Sequence, residues 1–237
     1  RPRMRFVRVK SEDEQASAIV FRARDLLVRQ RTQIINALRG HLTEYGYVAP
    51  SGAAHVARVL LLATDPALSI PEAARTILIM LAEHLQATEK KIADLDREIA
   101  VRAKRDERAR RLMTIPGIGP VTAVAITALA APPETFTKGR DFAAWVGLTP
   151  SQHSTGGKAR LGQITRRGDK YLRTLLVLGA RSVLQRAPKR DDAFSKWALQ
   201  VRQRRGYHRA CVAIAAKNAR VAWAMLQGRQ PRRASAV

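Results

Sequence analysis

Two adjacent hydroxyls, Ser154 and Thr155, stand immediately before the Gly156-Gly157 pair. Lys158, Arg160, Arg166, Arg167 and Arg173 follow within nineteen residues of Ser154. A serine hydroxyl has little nucleophilic power at neutral pH. It needs a base, or a site that stabilises its deprotonated form and the charge that develops on the group it attacks. Arginines and free backbone N–H groups supply the second requirement. Because phosphoryl transfer depends largely on positioning and electrostatics, a hydroxyl ringed by cations suits attack on a phosphodiester. The same residues also suit a glycine-rich loop that cradles a phosphate without reacting. Both readings stay open at this level. His153 is next to Ser154, but neighbours on an extended chain face opposite ways, so it is not assigned as the base.

No other constellation competes. No two histidines stand at metal-binding spacing, and no Gly-x-x-x-x-Gly-Lys loop occurs. Asp141, Asp169, Asp191 and Asp192 are metal ligands in principle, but each stands where a helix start wants a cap. No metal ligand is therefore assigned.

The elements that must position the hydroxyl loop read as helices. Upstream, Ile115-Pro116-Gly117-Ile118-Gly119-Pro120 reads as the turn of a helix-hairpin-helix module. Gly117 and Gly119 permit a tight bend, and the helix that follows opens with free N–H groups able to hold a phosphate oxygen. A plain turn between two packed helices is the competing reading. Such a turn would contact backbone and not base edges. An apolar helix over 123–131, a short helix over 139–146 and an aromatic cluster of Phe136, Phe142 and Trp145 come next. Leu161 to Ile164 allows a short strand or an extended loop. Asp169 is a good N-cap for a helix to about Arg186, with Leu172, Leu175, Leu176, Leu178, Gly179 and Val183 on its buried side. Asp191 or Asp192 caps another helix, Gly206 ends it, and a last helix runs over 208–226.

The N-terminal half is simpler. Ser11 and Glu14 form a capping box for a helix to about Leu42. After a short helix over 53–63, a second long helix starts near Ser69-Ile70-Pro71. Its Ile77, Leu81, Leu85, Thr88, Ile92, Leu95 and Ile99 make a heptad-like seam. The seam predicts a hairpin with the first helix, and a dimer besides. The charged run 102–111 reads as the solvated end of that second long helix, with a domain boundary near 105–110.

Composition restricts the partners. Lys and Arg number 43 against 19 acids, a net charge of +24 over 237 residues. A charge of that size repels itself unless a polyanion neutralises it, so nucleic acid is the predicted partner. No apolar run approaches the ~18 residues of a membrane span. The single Cys211 excludes internal disulfides and fits a reducing cytoplasm.

Taken in order, Ile115-Pro-Gly-Ile-Gly-Pro, Phe142-Ala-Ala-Trp-Val-Gly-Leu-Thr-Pro, His153-Ser-Thr-Gly-Gly-Lys, Gly168-Asp-Lys-Tyr-Leu-Arg and Lys217-Asn-Ala-Arg-Val-Ala-Trp resemble one family of insertion-sequence transposases, the "one-ten" family, especially its "eleven-eleven" branch. The resemblance covers essentially the whole chain and is specific over 112–226. It implies an N-terminal RuvC-like domain with four metal-binding acids that use Mg2+, a coiled-coil-like linker, and a C-terminal transposase domain with a nucleophilic serine. It also implies a homo-oligomer and a guide RNA that selects the DNA. The nucleophile falls on Ser154, with Thr155 as the alternative register and Ser151 third. The chain opens on Arg1 and not on Met. It is therefore expected to begin inside a longer frame, with the metal-binding domain before Arg1.

The expected fold is mostly α. Residues 1–10 are a basic extended end and 11–108 a helical, coiled-coil-like linker. Residues 109–228 are a compact helical transposase domain with a helix-hairpin-helix-like turn, and 229–237 a basic disordered tail. The expected activity is DNA transposition, with Lys158, Arg160, Arg166, Arg167 and Arg173 on phosphate and the Gly117–Gly119 turn on neighbouring backbone. The competing expectation is a non-catalytic nucleic-acid-binding module.

Overall fold

The computed structural model describes Val9, residues 11–158 and residues 160–228. The expectations for the basic N-terminal end, Val9 apart, and for the C-terminal tail fall outside these residues. The described chain is mostly α, with two short strands. Backbone proximity divides it into one unit over Ile19–Glu98 and a second that takes in the residues from Ile99 onward together with those up to Ala18. The division falls inside two continuous helices, α1 (Glu12–Glu44) and α3 (Glu72–Arg105).

The Ser11 hydroxyl accepts from the Glu14 N–H at 3.2 Å, and the Glu14 carboxylate accepts from the Ser11 N–H at 2.9 Å. This reciprocal box starts α1 where the sequence predicts it. In the Ile19–Glu98 unit, α1 and α3 pack antiparallel, with α2 (Val56–Thr64) closing one end. Ile34, Leu38 and Leu42 share a core with Val59, Ala63, Leu78, Ala82 and Leu85. Further along, Arg24 grips Asp96 through two hydrogen bonds, of 2.5 and 3.2 Å. The α3 seam is rotated from the predicted one. Leu78 and Ala82 are buried, while Ile77 is 47% exposed. Leu85, Thr88, Ile92 and Ile99 hold their predicted place. The reason is helical pitch: at 3.6 residues per turn, a straight helix drifts from a seven-residue repeat.

Asp106 interrupts the charged run. Its carboxylate accepts from the Arg108 N–H and caps α4 (Glu107–Leu112). Then follow the Ile115–Gly119 turn, α5 (Pro120–Leu129), α6 (Gly139–Trp145), the strands β1 (Pro150–Gln152) and β2 (Leu161–Ile164), α7 (Lys170–Arg186), α8 (Ala193–Arg205) and α9 (Tyr207–Leu226). Asp169 caps α7 through the Leu172 N–H, and Asp192 caps α8 through the Ser195 N–H.

Helix α9 is the spine of this unit, packing against α4, α6, α7 and α8. Its Ala210, Ile214, Ala215, Ala219 and Ala222 are fully buried, and such small side chains let neighbouring helices approach closely. Phe136, Phe142 and Trp145 form the predicted aromatic cluster, with Phe142 and Trp145 stacked at 5.8 Å. Lys217 lies over the Trp197 ring at 4.1 Å and the Phe194 ring at 5.1 Å. Burial, and then the neighbouring Arg220 charge, hold its ammonium below the ordinary lysine range. On α7, Leu172, Leu175, Leu176, Ala180, Val183 and Leu184 are buried, but Leu178 is 49% exposed and is not part of the core. Three residues past Leu175, it has turned onto the helix flank.

The buried Asn218 amide donates to the Pro116 carbonyl at 2.8 Å and so ties α9 to the glycine turn. Asn218→Ala strands that carbonyl and is predicted to cost about 1–3 kcal/mol. A denaturant midpoint unchanged from the parent would overturn this.

Among the described residues no helix is long and apolar enough to cross a membrane.

Candidate active site

The Ser154 loop is a β-hairpin. Thr149, Pro150 and Gln152 pair with Thr165, Ile164 and Leu161, with one irregularity between Pro150 and Gln152. The ladder continues to the tip, where the His153 N–H donates to the Arg160 carbonyl at 2.8 Å and Thr155 bridges Lys158. Gly156 and Gly157, at φ +55° and +75°, are the two left-handed residues of the tight turn between them. An Asn-Gly or Gly-Gly pair is what a two-residue hairpin turn of this hand requires.

The pleat decides which side chain meets Ser154. Residues two apart share a face, so Gln152 lies beside Ser154 while His153 and Thr155 point the other way. The half-buried Ser154 Oγ accepts from the Gln152 Nε2 at 3.2 Å and from the Arg160 backbone N–H at 3.0 Å. Two N–H donors on one hydroxyl oxygen stabilise negative charge as its proton leaves. Among the described residues, neither a carboxylate nor an imidazole hydrogen-bonds that oxygen. Thr155 is exposed at the tip, and the Ser151 Oγ donates to the Gln163 carbonyl at 3.1 Å. Of the three hydroxyls, Ser154 alone has donors converging on it.

The cations divide into two groups. Lys158 and Arg160 are exposed near the tip and pair with no acid among the described residues. The others sit at the base. The Arg166 side chain reaches the Gln163 amide oxygen at 3.2 Å, from a backbone held at φ +55°. Arg167 is exposed. Arg173, expected on phosphate, instead donates to the Val146 carbonyl at 2.9 Å and the Arg167 carbonyl at 3.5 Å. It holds the hairpin base together and presents less of itself to a ligand. Asp169 is the sole acid between Gly147 and Arg190, and its carboxylate is committed to the α7 cap. The hairpin thus stands in a strongly positive field.

That base is a backbone-to-backbone contact. A Cβ on Gly147 would lie 2.1 Å from the Arg167 carbonyl oxygen, and one on Gly168 1.7 Å from the Trp145 carbonyl oxygen. The Ile115–Gly119 turn is a separate feature. Gly117, at φ +87°, packs against Gly179 near the middle of α7, where a Gly179 Cβ would come within 1.9 Å of the Gly117 carbonyl oxygen. The structure does not bring this turn into the Ser154 hairpin.

Gln152 and the Arg160 N–H are the site groups that sequence reasoning missed. The alternation Ser151-Gln152-His153-Ser154 carries the signal, but only once residues 150–152 are recognised as a strand. Among the described residues no three His, Cys, Asp or Glu side chains stand together as a metal site. Cys211 is buried, and burial pushes its thiol above the usual cysteine range. Its alkylation by iodoacetamide should be at least ~10-fold slower in the native protein than in the unfolded one. Equal rates, read by intact mass, would sink that expectation.

Comparison with known proteins identifies relatives. The sequence model of the transposase IS116/IS110/IS902 family matches residues 109–196. The chain is 45% identical over 229 residues to a probable family 20 transposase of Pseudomonas aeruginosa, across 95% of this chain and 68% of that protein. It is 41% identical to the putative transposase y4pF/y4sB of Sinorhizobium fredii, across 95% of this chain and 58% of the relative. It is 37% identical to the transposase for insertion sequence element IS1111A of Coxiella burnetii, across 100% of this chain and 65% of the relative. The chain spans about two thirds of the length of these relatives, or less.

Proposed function

The chain belongs to the IS116/IS110/IS902 family of transposases, and on that premise we propose that it carries the serine half of a DNA strand-transfer site, with Ser154 as nucleophile. Ser154 Oγ attacks a DNA phosphorus. The Oγ–P bond forms, the bond from phosphorus to a deoxyribose oxygen breaks, and that oxygen leaves as a hydroxyl once protonated. Attack by the hydroxyl of another strand reverses the exchange, joining the strands and freeing the serine. The observation that carries this reading is the pair of N–H donors converging on Ser154 Oγ, from Gln152 and from the Arg160 backbone. Lys158, Arg160 and Arg167 neutralise the scissile phosphate and its neighbours, with Arg166 beside them.

The proton acceptor is assigned to a group outside the described residues. The resemblance implies a Mg2+ site built from four acids; among the described residues the carboxylates form no such cluster. Partnership with DNA, a guide RNA and further copies of the chain, in the cytoplasm, completes the proposal. The net charge of +24 supports a polyanionic partner.

The test is to trap the covalent species. The full-length protein is incubated with end-labelled element DNA and denatured, and the labelled adduct is digested and mapped. An adduct on the peptide containing Ser154 supports the proposal. Strand exchange without any adduct, or an adduct elsewhere, removes it in favour of a phosphate-cradling module.

A further inference from the structure

A pocket of about 430 Å³ lies where α7, α8 and α9 meet, lined by Arg181, Leu184, Gln185, Pro188, Arg202 and Tyr207. The Ser154 hairpin is anchored elsewhere, at the Lys170 end of α7, about 17 Å along the helix axis from Arg181. The polar lining is rich in donors. Arg181 and Arg202 bring guanidiniums, which only donate, and Gln185 brings an amide. Neither guanidinium pairs with a carboxylate among the described residues. The acids nearest in sequence are committed elsewhere, Asp191 to Lys196 at 2.9 Å and Asp192 to Arg190 at 3.7 Å, and no acid follows Asp192. Two like charges on one pocket repel each other unless an anion joins them.

The apolar part of the lining is built round an aromatic ring. The Arg202 guanidinium lies over the Tyr207 ring, 5.8 Å from its centre, and the His208 ring stands nearly perpendicular to it at 5.5 Å. The Tyr207 hydroxyl is hydrogen-bonded to the buried Cys211 thiol. The polar end of the phenol is therefore anchored inward, and its ring is what it gives the pocket, with Leu184 and Pro188. A guanidinium seated on an aromatic face keeps its N–H edge for a phosphate fork. Arg202 lies in the last turn of α8, where a cation also offsets the negative end of the helix dipole. Arg181 has no such duty, because it stands more than a turn inside α7.

We propose that this pocket holds one unpaired nucleotide of a single-stranded segment, its phosphate between Arg181 and Arg202 and its base against the Tyr207 ring, Leu184 and Pro188. The lining calls for a ligand that joins an anionic acceptor to a flat apolar group, and a nucleotide does both. A base paired in a duplex stays stacked between its neighbours, whereas an unpaired base can splay into a pocket and lie on an aromatic ring or a guanidinium plane. The net charge of +24 favours a polyanion over an acidic peptide. The proposal rests on the nucleic-acid reading above but not on the chemistry of Ser154.

Binding by the full-length protein tests it. Short fluorescein-labelled single strands of mixed sequence, one DNA and one RNA, and the matching DNA duplex are titrated by anisotropy across a salt series. Arg181→Gln should weaken single-strand binding about tenfold and lower its salt slope by about 0.7. Tyr207→Leu should also weaken it about tenfold, with the slope unchanged, because a stacking face is lost and not a charge. Tyr207→Phe keeps the ring, loses the bond to Cys211, and should bind as the parent does. Duplex affinity should stay within about twofold throughout. A response from one single strand alone identifies the nucleic acid that supplies the nucleotide, and a response from both assigns the pocket to either. Arg181 is exposed, so its replacement keeps the test available if Tyr207→Leu fails to fold. Arg181→Gln with parental affinity and slope for both single strands overturns the proposal. An equal loss on the duplex overturns it too, since Arg181 would then be a general backbone contact. Ser154→Ala should leave single-strand binding unchanged, so failure of the pocket and failure of the nucleophile are read separately.

Discussion

Ser154→Ala is expected to abolish the covalent protein–DNA species and to lower strand joining by roughly 10³-fold or more, with DNA affinity kept within about twofold. Removing the group that forms the covalent bond takes away a whole mechanism and not one contact, which is why the loss exceeds that from a single hydrogen bond. Affinity persists because the cations and not the hydroxyl hold the phosphates. Thr155→Ala is the control. Its hydroxyl lies on the other face of the pleat, so strand joining should fall by no more than about threefold. Gln152→Ala removes one of the two donors on Oγ while leaving the nucleophile, and should cost about 10- to 100-fold, less than the serine itself. The ordering Ser154→Ala, then Gln152→Ala, then Thr155→Ala is the signature. Full activity of Ser154→Ala beside an inactive Thr155→Ala would move the nucleophile one residue and discard the role given to Gln152.

Gly168→Ala is expected to produce the largest loss of stability among the hairpin substitutions. The residue holds φ +95°, and its Cβ would stand 1.7 Å from the Trp145 carbonyl oxygen. Positive φ costs an alanine about 1–2 kcal/mol, and the clash is with backbone that cannot rotate away. Together they should exceed roughly 3 kcal/mol, lowering Tm by roughly 6–12 °C if unfolding is cooperative. Gly147→Ala meets the Arg167 carbonyl oxygen at 2.1 Å and should behave alike. Gly156→Ala isolates the conformational contribution, because at φ +55° its Cβ meets nothing within 4 Å. It should cost about 1 kcal/mol, confined to the tip. Thermal melts followed by circular dichroism decide the matter. Similar melts for Gly156→Ala and Gly168→Ala would show that the close approach at the hairpin base is not what anchors it.

These contacts explain how much of the site was legible beforehand. The cations and the hydroxyls were visible as composition, and Gly156-Gly157 as a turn. The assignment of a role to each cation was less secure. Arg173 looked like a phosphate ligand by proximity in sequence, but two backbone carbonyls occupy one of its guanidinium nitrogens. Leu178 was expected on the buried side of its helix, yet it is half exposed on the flank of α7. Gly117 read as a residue that frees a turn, whereas its closest constraint is the Gly179 backbone far along the chain.

The sequence by itself determined the order and nearly the ends of the helices, because caps such as Ser11, Asp169 and Asp192 act within three residues of where they stand. It also determined the charge, the mostly α class and the resemblance to a transposase family. Only the tertiary structure decided that β1 exists, that Gln152 and the Arg160 N–H meet on Ser154, and that Gly147 and Gly168 close the hairpin base. Those are questions of strand register and of close approach between distant segments. A shift of one residue along the strand would have turned Ser154 to the opposite face with every side chain beside it.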